Sequence, residues 1–389
     1  MNFWQQLPRP IIGLSPMDGV TDAAFRLIVA QQGPADVSVT EFTSVGDICR
    51  GPEFLLSSLL YSDLERPVVA QLYGKDPALF YQAAHVVCEL GFDGLDINMG
   101  CPSRNVASSG SGAGLIRTPD LAHALMRAAR QGIADWAAGQ SLTATGLKPA
   151  RAELIAAMNL KRTGQPAAPR RTIPLSVKTR IGYDSVVIES WVSHLLEEEP
   201  AVIAVHGRTL EQMYRGEADW SAIGRAARLT SGTSTLLLGN GDVQTLQDVV
   251  RRVQESGAYG VHGVLVGRGA LGSPWFFRSK ETARAACRDN LAPVLDPDMA
   301  LADRFEVMLG HARRFEEIFG QERFPRLRKH LGWYCKGFRH AAAMRGRMVR
   351  ASSSADVERL IAEYLPGSSE DSPGLEETSI GLPSSCLSL

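Results

Sequence analysis

The sequence predicts a closed (β/α)8 barrel of the TIM type followed by a small C-terminal helical domain, and three observations carry that expectation. Eight short apolar or β-branched runs, bounded by turn residues, occupy positions 11–17, 37–42, 67–74, 94–100, 174–180, 201–207, 235–241 and 263–269. Longer amphipathic stretches lie between them, and strands alternating with helices build right-handed βαβ units around a parallel sheet. Beyond residue 269 only helical spacing remains. Eight such units match a closed barrel better than an open sheet.

Taken in order, each run stays largely apolar until its carboxyl end. The first ends in Pro16-Met17-Asp18, the second delivers Glu41 and the third Gln71. The fourth carries Asn98 and breaks into Gly100-Cys101-Pro102, the fifth brings Lys178 with Arg180, and the sixth His206 with Arg208. The last two end in Gly239-Asn240-Gly241-Asp242 and Gly267-Arg268-Gly269. Loops after parallel strands converge on one rim, so amides, cations, a thiol and an imidazole gather there as a mouth that holds a polar ligand. Glycine-rich ends after the seventh and eighth strands let backbone N–H groups approach an anion, which implies a phosphorylated cofactor on that side. The Ser/Gly-rich loop at 108–114 has a similar composition, but serine and glycine also suit a movable lid.

Cys101 sits where a strand ends. A thiol there can act as nucleophile, metal ligand, disulfide partner or proton donor, or serve only as a small buried hydrophobe. The six cysteines, Cys49, Cys88, Cys101, Cys287, Cys335 and Cys386, contain no CxxC pair and no repeated spacing. That argues against a zinc site and a disulfide framework, so no metal and a reducing cytoplasm are expected.

With 389 residues and 44% hydrophobic content the chain can bury a large core, while a formal net charge of -1 leaves partner type to the distribution of charge. The amino terminus has no charged and apolar signal pattern, and no apolar run reaches membrane-spanning length, so no membrane is expected.

The segment 131–171 is too long for an ordinary connection; a short helix is expected at 149–161 and flexible chain around it. Residues 293–297 read as a linker. The barrel is therefore assigned to 1–292, the helical domain to 293–365, and a disordered tail rich in Ser, Gly, Glu and Pro to 366–389. In the helical part Phe305, Met308, Leu309, Phe315 and Phe319 recur at helical spacing. From 323 to 350 nine cations, Arg323, Arg326, Arg328, Lys329, Lys336, Arg339, Arg345, Arg347 and Arg350, stand without one acidic residue. Interleaved with His330, Trp333, Tyr334, Phe338 and His340 as stacking surface, they predict contact with nucleic-acid phosphates.

The motifs Ser15-Pro16-Met17-Asp18-Gly19-Val20-Thr21-Asp22, Gln71-Leu72-Tyr73-Gly74, Asp96-Ile97-Asn98-Met99-Gly100-Cys101-Pro102, Val177-Lys178-Thr179-Arg180, Val205-His206-Gly207-Arg208-Thr209, Gly239-Asn240-Gly241-Asp242 and Gly267-Arg268-Gly269-Ala270 together resemble the tRNA-dihydrouridine synthases. Within that family Glu211-Gln212-Met213-Tyr214-Arg215 and the stretch 218–224 look most like the bacterial C-type enzymes, which act on U16 of the tRNA D-loop. Two features depart from the pattern: the insertion at 131–171, and Ser44 in place of an arginine that helps place the RNA.

The resemblance implies an enzyme in which flavin mononucleotide (FMN) takes a hydride from NADPH and passes it to C6 of a uracil. Cys101 is then the acid that protonates C5, because a thiol with a reference pKa of about 8.5 stays protonated near neutral pH. By the same likeness Pro16, Met17 and Asp18 pack against the isoalloxazine edge, and Gln71 and Lys178 bond its polar rim. His206, Asn240, Gly241, Asp242, Gly267 and Arg268 complete the ribityl and phosphate end. Asn98 and Arg180 read the uracil, which must be turned out of the RNA into the mouth. Arg104, Arg326 and Arg328 hold the tRNA, and a monomer is expected. Two other readings share parts of this pattern: a flavin-dependent reductase of a small molecule, and a tRNA-binding chaperone without catalysis.

Overall fold

A computed structural model describes residues 2–256, 260–289 and 293–365, apart from the side chains of Arg104 and Asn105. The described residues fall into two compact units, one from 2–213, 217–270 and 274–297, the other from 214–216, 271–273 and the residues from 298 onward. The stretch 293–297 thus groups with the barrel.

The first unit is an all-parallel barrel. Its strands are β1 (Ile11–Leu14), β2 (Ser38–Val39), β3 (Thr43–Ser44), β4 (Val68–Tyr73), β5 (Gly94–Met99), β6 (Leu175–Arg180), β7 (Val202–His206), β8 (Leu236–Asn240) and β9 (Gly263–Val266). They run in the order β2-β1-β9-β8-β7-β6-β5-β4-β3, and a pairing of β2 with β4 closes the ring. β2 lies inside the second expected run, 37–42, and β3 follows directly beyond it: Ser38 pairs with Val68 at the start of β4, and Thr43 with Leu72 near its end. The expected (β/α)8 barrel is therefore what the chain forms.

Because side chains alternate across a strand, one parity faces the interior and the other the surrounding helices. Leu95, Ile97 and Met99 point to the helices. The interior is apolar at its amino-terminal end, where Ile11, Val69, Val202, Leu236 and Leu265 pack with Trp4. Trp4 comes from a 3-10 turn, Phe3–Gln6, that stops the bottom of the barrel. Polar side chains enter the interior only higher up, at Gln71, Asp96, Asn98, Ser176, Lys178, Arg180, His206 and Asn240. Helix starts are set by side-chain caps, as where Asp22 accepts from the Phe25 N–H and Asp219 from that of Ala222.

The segment 131–171 differs from expectation. Helix Pro119–Ala137 runs into it, and helix Pro149–Thr163 starts on a proline and ends at Gly164 in the left-handed region. Instead of flexible chain, the segment packs on the barrel's flank. Leu142, Leu147 and Ile155 are buried, Asn159 donates to the Glu89 carbonyl at 2.6 Å, and Arg162 lies over the Tyr61 ring.

The second unit is helical, with helices Leu301–Phe319, Arg328–Tyr334, Ala341–Met348 and Ser354–Tyr364 around Phe305, Phe315, Phe324, Leu331 and Met348. The tail expected at 366–389 lies outside the described residues. Among the described residues no helix is long and apolar enough to cross a membrane, and Cys49, Cys88, Cys101, Cys287 and Cys335 are free thiols.

Candidate functional site

The site is built at the carboxyl ends of the barrel strands. β5 ends at Met99, and the chain turns at Gly100, which packs against the β6 backbone so closely that an added Cβ would lie 3.2 Å from the Thr179 carbonyl carbon. Cys101 follows, 7% exposed. The second half of the Ser/Gly loop is packed: Ser111 is buried, a 3-10 turn runs Gly112–Arg117, and a Cβ on Gly112 would come within 3.1 Å of the Cys101 Cβ. It forms one wall of the thiol's pocket.

Hydrogen bonds fix the loop that carries the thiol. Asn98 Oδ1 accepts from the N–H of Gly100 at 3.0 Å and of Cys101 at 2.8 Å, and its Nδ2 donates to Gln71 Oε1 at 2.9 Å. Gln71 Nε2 donates in turn to Asp96 Oδ2 at 2.8 Å, and Ser176 Oγ donates to Asp96 Oδ1 at 2.6 Å. Gln71 is wholly enclosed. Both amides therefore support the loop from beneath. Asp96 and Ser176 are absent from the expected site set, although their parity in β5 and β6, shared with Asn98 and Lys178, is a signal in the sequence.

Arg180 supports the same turn. It is buried, and its guanidinium donates to the carbonyls of Gly100 at 2.6 Å and Thr209 at 3.1 Å. It ties the thiol's loop to the loop after β7, where Met213 adopts a left-handed φ of 51° with an exposed side chain.

On the opposite side, β7, β8 and β9 assemble a cationic wall. Arg208 grips the Asp242 carboxylate through both oxygens at 2.9 and 2.7 Å, and Arg268 reaches the same carboxylate at 3.1 Å. The Ala218 N–H adds a fourth bond at 2.7 Å. Asp242 is thus taken up in orienting two arginines, and Arg208, absent from the expected site set, is its main partner. Burial raises the Asp242 carboxyl, but the Ala218 N–H and the two guanidinium groups outweigh it and hold it below the usual range. Asn240 donates to the Leu265 carbonyl at 2.8 Å, bracing β8 on β9.

The glycines of this side have separate tasks. Gly239 faces outward beneath Trp220, where an added Cβ would fall 2.3 Å from the indole. Gly241 has a φ of 121°, and a Cβ there would meet Ala218 and the His206 ring. A Cβ on Gly267 would have the Met17 sulfur as its nearest neighbour, at 3.3 Å, with Ser15 Cβ at 3.8 Å. Pro16 and Met17 are half-buried at this edge and Asp18 is exposed.

The charges respond to this layout. Burial, then the positive charges of Arg180, Lys178, Arg208 and Arg268, push the His206 imidazole well below its ordinary value, so it is neutral. Burial, then Arg180, lower the Lys178 ammonium to about 8. Burial raises Asp96 to about 6, against hydrogen bonds from Ser176 and Gln71 and the charge of Lys178. Burial also raises the Cys101 thiol, against the Ser103 N–H. On the β1–β2 side, burial and the neighbouring carboxylates Asp22 and Asp18 raise Glu41 to about 8.

The cation run of the second unit is less bare than the sequence alone suggests. Arg347 pairs with Glu363, Arg345 donates to the Cys335 carbonyl and Arg328 to the Ala351 carbonyl. Arg326 is exposed. The expected stacking surface narrows: His330 and Tyr334 are buried and Phe338 packs edge-on against Phe305 and Tyr364, while Trp333 is half-buried and His340 exposed. The side chain of Arg104 lies outside the described residues.

Comparison with known proteins bears on all of this. A family model described as dihydrouridine synthase (Dus) matches residues 13–135 and 161–365, leaving out most of the inserted segment. A Bacillus subtilis (strain 168) protein described as probable tRNA-dihydrouridine synthase 2 is 32% identical over 368 residues, spanning 93% of this chain and 96% of its own length. A Staphylococcus aureus (strain MRSA252) protein described as probable tRNA-dihydrouridine synthase is 30% identical over 375 residues, spanning 95% of this chain and 98% of its own.

Proposed function

The chain belongs to the dihydrouridine synthase family, and from that premise we propose that it reduces the C5–C6 double bond of a uridine in the tRNA D-loop, U16, using NADPH and FMN. The observation that carries this reading is the buried, protonated thiol of Cys101, held on a pinned turn at the mouth of the barrel.

The residues present fit FMN by the chemistry of their donors. Arg208 and Arg268 share the Asp242 carboxylate beside a neutral imidazole, and their positive charge on the glycine-rich side of the mouth suits a phosphate monoester, while Lys178 suits the electron-rich edge of a reduced ring. The glycine at 267 leaves room at the rim beside Met17. When bound and reduced, FMN supplies a hydride to C6 of the base.

The chain's own residues do the rest. The Cys101 thiol delivers a proton to C5, and burial keeps that proton in place through neutral pH. Asn98 and Arg180 keep the thiol still, and positioning of a proton donor is worth more than a modest gain in acidity. The exposed arginines of the helical unit, Arg326 first, and Arg104 beside the thiol's loop serve the phosphate backbone of the tRNA, as cations without base contacts do.

The experiment is mass-spectrometric mapping of dihydrouridine in tRNA from cells lacking this gene and from the parent strain. Loss at position 16 alone is the expected result. Loss at another D-loop position keeps the activity and moves the target; no loss anywhere returns the site to a small-molecule reductase or a tRNA chaperone.

A further inference from the structure

Three loops at the mouth carry a surface that the proposed chemistry leaves unused. The 3-10 turn that walls the thiol ends at Arg117, the loop after β6 presents residues 183–187, and the loop after β7 brings Met213. The Arg117 guanidinium carbon lies 3.6 Å from the centroid of the Tyr183 ring, in stacking contact, and Nη2 donates to Asp184 Oδ2 at 2.5 Å. Ring and carboxylate together hold the cation in one place. The guanidinium groups over Tyr61, Trp136 and Trp220 cover rings that are themselves buried, and so serve packing. Tyr183 is only half-buried, and the Arg117 side chain laid over it is 55% exposed.

The loop that carries Tyr183 is fixed. The Val187 N–H donates to the Ile181 carbonyl at 2.9 Å and closes it, and a Cβ on Gly182 would collide with the Ser185 carbonyl. The carbonyls of Gly182 and Tyr183 accept from Leu210 and Glu211, each at 3.0 Å, which joins it to the loop after β7. Yet these joined loops leave Val186, Val187 and Met213 exposed to water. The surface they make is flat, cationic in its outer layer, bordered by apolar groups and next to the turn that carries the thiol. A nucleobase of single-stranded RNA is the flat, electron-rich group that stacks on aromatic rings and arginine planes. Turning the target uridine into the mouth strips its neighbour of a stacking partner, so an unstacked base reaches the rim in the course of the reaction itself. We propose that Arg117, laid over Tyr183, is the stacking platform for the nucleobase next to the target uridine. This rests on the reading of the site as one that reduces a uridine in tRNA. Both residues then act on the neighbouring nucleotide, away from the reacting atoms, and hold the strand so that the uracil stays opposite Cys101.

The test is kinetics of the full-length protein on full-length tRNA, intact or carrying an abasic nucleotide on one side or the other of the target uridine. Tyr183→Ala, and Arg117→Lys, which keeps the charge and loses the plane, should each lower kcat/KM on intact tRNA by about five- to a hundredfold. Tyr183→Phe keeps the ring and should stay within about twofold of wild type. One of the two abasic tRNAs should cost the wild type a similar factor. In Tyr183→Ala that same abasic tRNA should cost nothing more, because the stack it would break has already gone. Wild-type kcat/KM for Tyr183→Ala on intact tRNA, or losses that multiply when variant and abasic tRNA are combined, would overturn the proposal. If Tyr183→Ala fails to fold, the same cycle with Arg117→Lys decides by the same criterion. A protein that makes no dihydrouridine in cells removes the underlying reading and the platform with it, whereas dihydrouridine made at full rate by Tyr183→Ala removes the platform alone.

Discussion

Arg180 Nε donates to the carbonyl oxygen of Gly100 at 2.6 Å, so a permanent cation from β6 reaches the residue just before the thiol at the end of the neighbouring strand. The same guanidinium holds the Thr209 carbonyl. Its planar fork reaches the two loops from separate, fixed nitrogens, whereas an ammonium offers its donors from a single one. Arg180→Lys is therefore expected to keep the fold and lower the single-turnover rate by about tenfold to a hundredfold, as small misplacements of reacting groups do. A rate within twofold of wild type would show that the clamp is dispensable.

Cys101→Ala should retain the flavin spectrum and tRNA binding while losing about 10²- to 10⁴-fold in turnover, the range a positioned proton donor contributes. Because burial raises the thiol, the alkaline limb of the wild-type pH–rate profile should lie above the value for an exposed cysteine, about 8.5. Rapid-quench rates across pH 6 to 10 check both statements.

Lys178 should cost the cofactor-free protein stability. Its folded pKa is about 8 against 10.5 for the ordinary side chain, so the unfolded chain binds more protons between those values and stability rises with pH across that window. Below about pH 8 the full penalty of a charged, buried ammonium applies. Lys178→Met should accordingly be the more stable protein at pH 7, with the difference from wild type narrowing from pH 8 to 10.5 in urea titrations, and it should bind FMN more weakly.

Replacing Arg326 and Arg328 together by alanine should weaken tRNA binding and reduce the slope of log affinity against log salt by about one unit for each phosphate left without its cation. Arg347→Ala should do less, since its charge already meets Glu363. Filter-binding titrations at several salt concentrations distinguish the two, and equal slopes in all three proteins would remove these arginines from the interface.

The barrel was legible because strand and turn chemistry are local: seven of the expected runs each contain one strand, and the run at 37–42 lost its regularity only where Thr40 turns its hydroxyl to the Glu41 carbonyl and the Gln71 N–H. The thiol, the lysine and the glycine ends were legible as residues at strand ends. Their partners were not, because a bidentate pair such as Arg208 with Asp242 joins positions 34 apart, and Arg347 finds Glu363 in another helix. Aromatic residues of the helical unit were misjudged for a different reason. Leu327, Leu331 and Tyr334 recur at i, i+4 and i+7, the spacing of a buried face, and that periodicity outweighed the cations between them. The inserted segment was expected to be loose because it is rich in small and polar residues, yet Asn159 and Arg162 donate to the Glu89 and Leu90 carbonyls at the end of helix Pro77–Glu89 and fasten it.

The unequal room around the glycines makes the opening of the barrel adjustable on one side and rigid on the other. A methyl group at 239 would collide with Trp220, and one at 241 would have to occupy a backbone region that L residues avoid, so that flank tolerates no redesign. At 267 the sole obstacle within close range is the tip of Met17, a side chain with three rotatable bonds that can swing aside. Narrowing or widening the aperture for a larger or smaller guest would therefore begin at Gly267 and Met17, where shape can change while the scaffold that bears it does not.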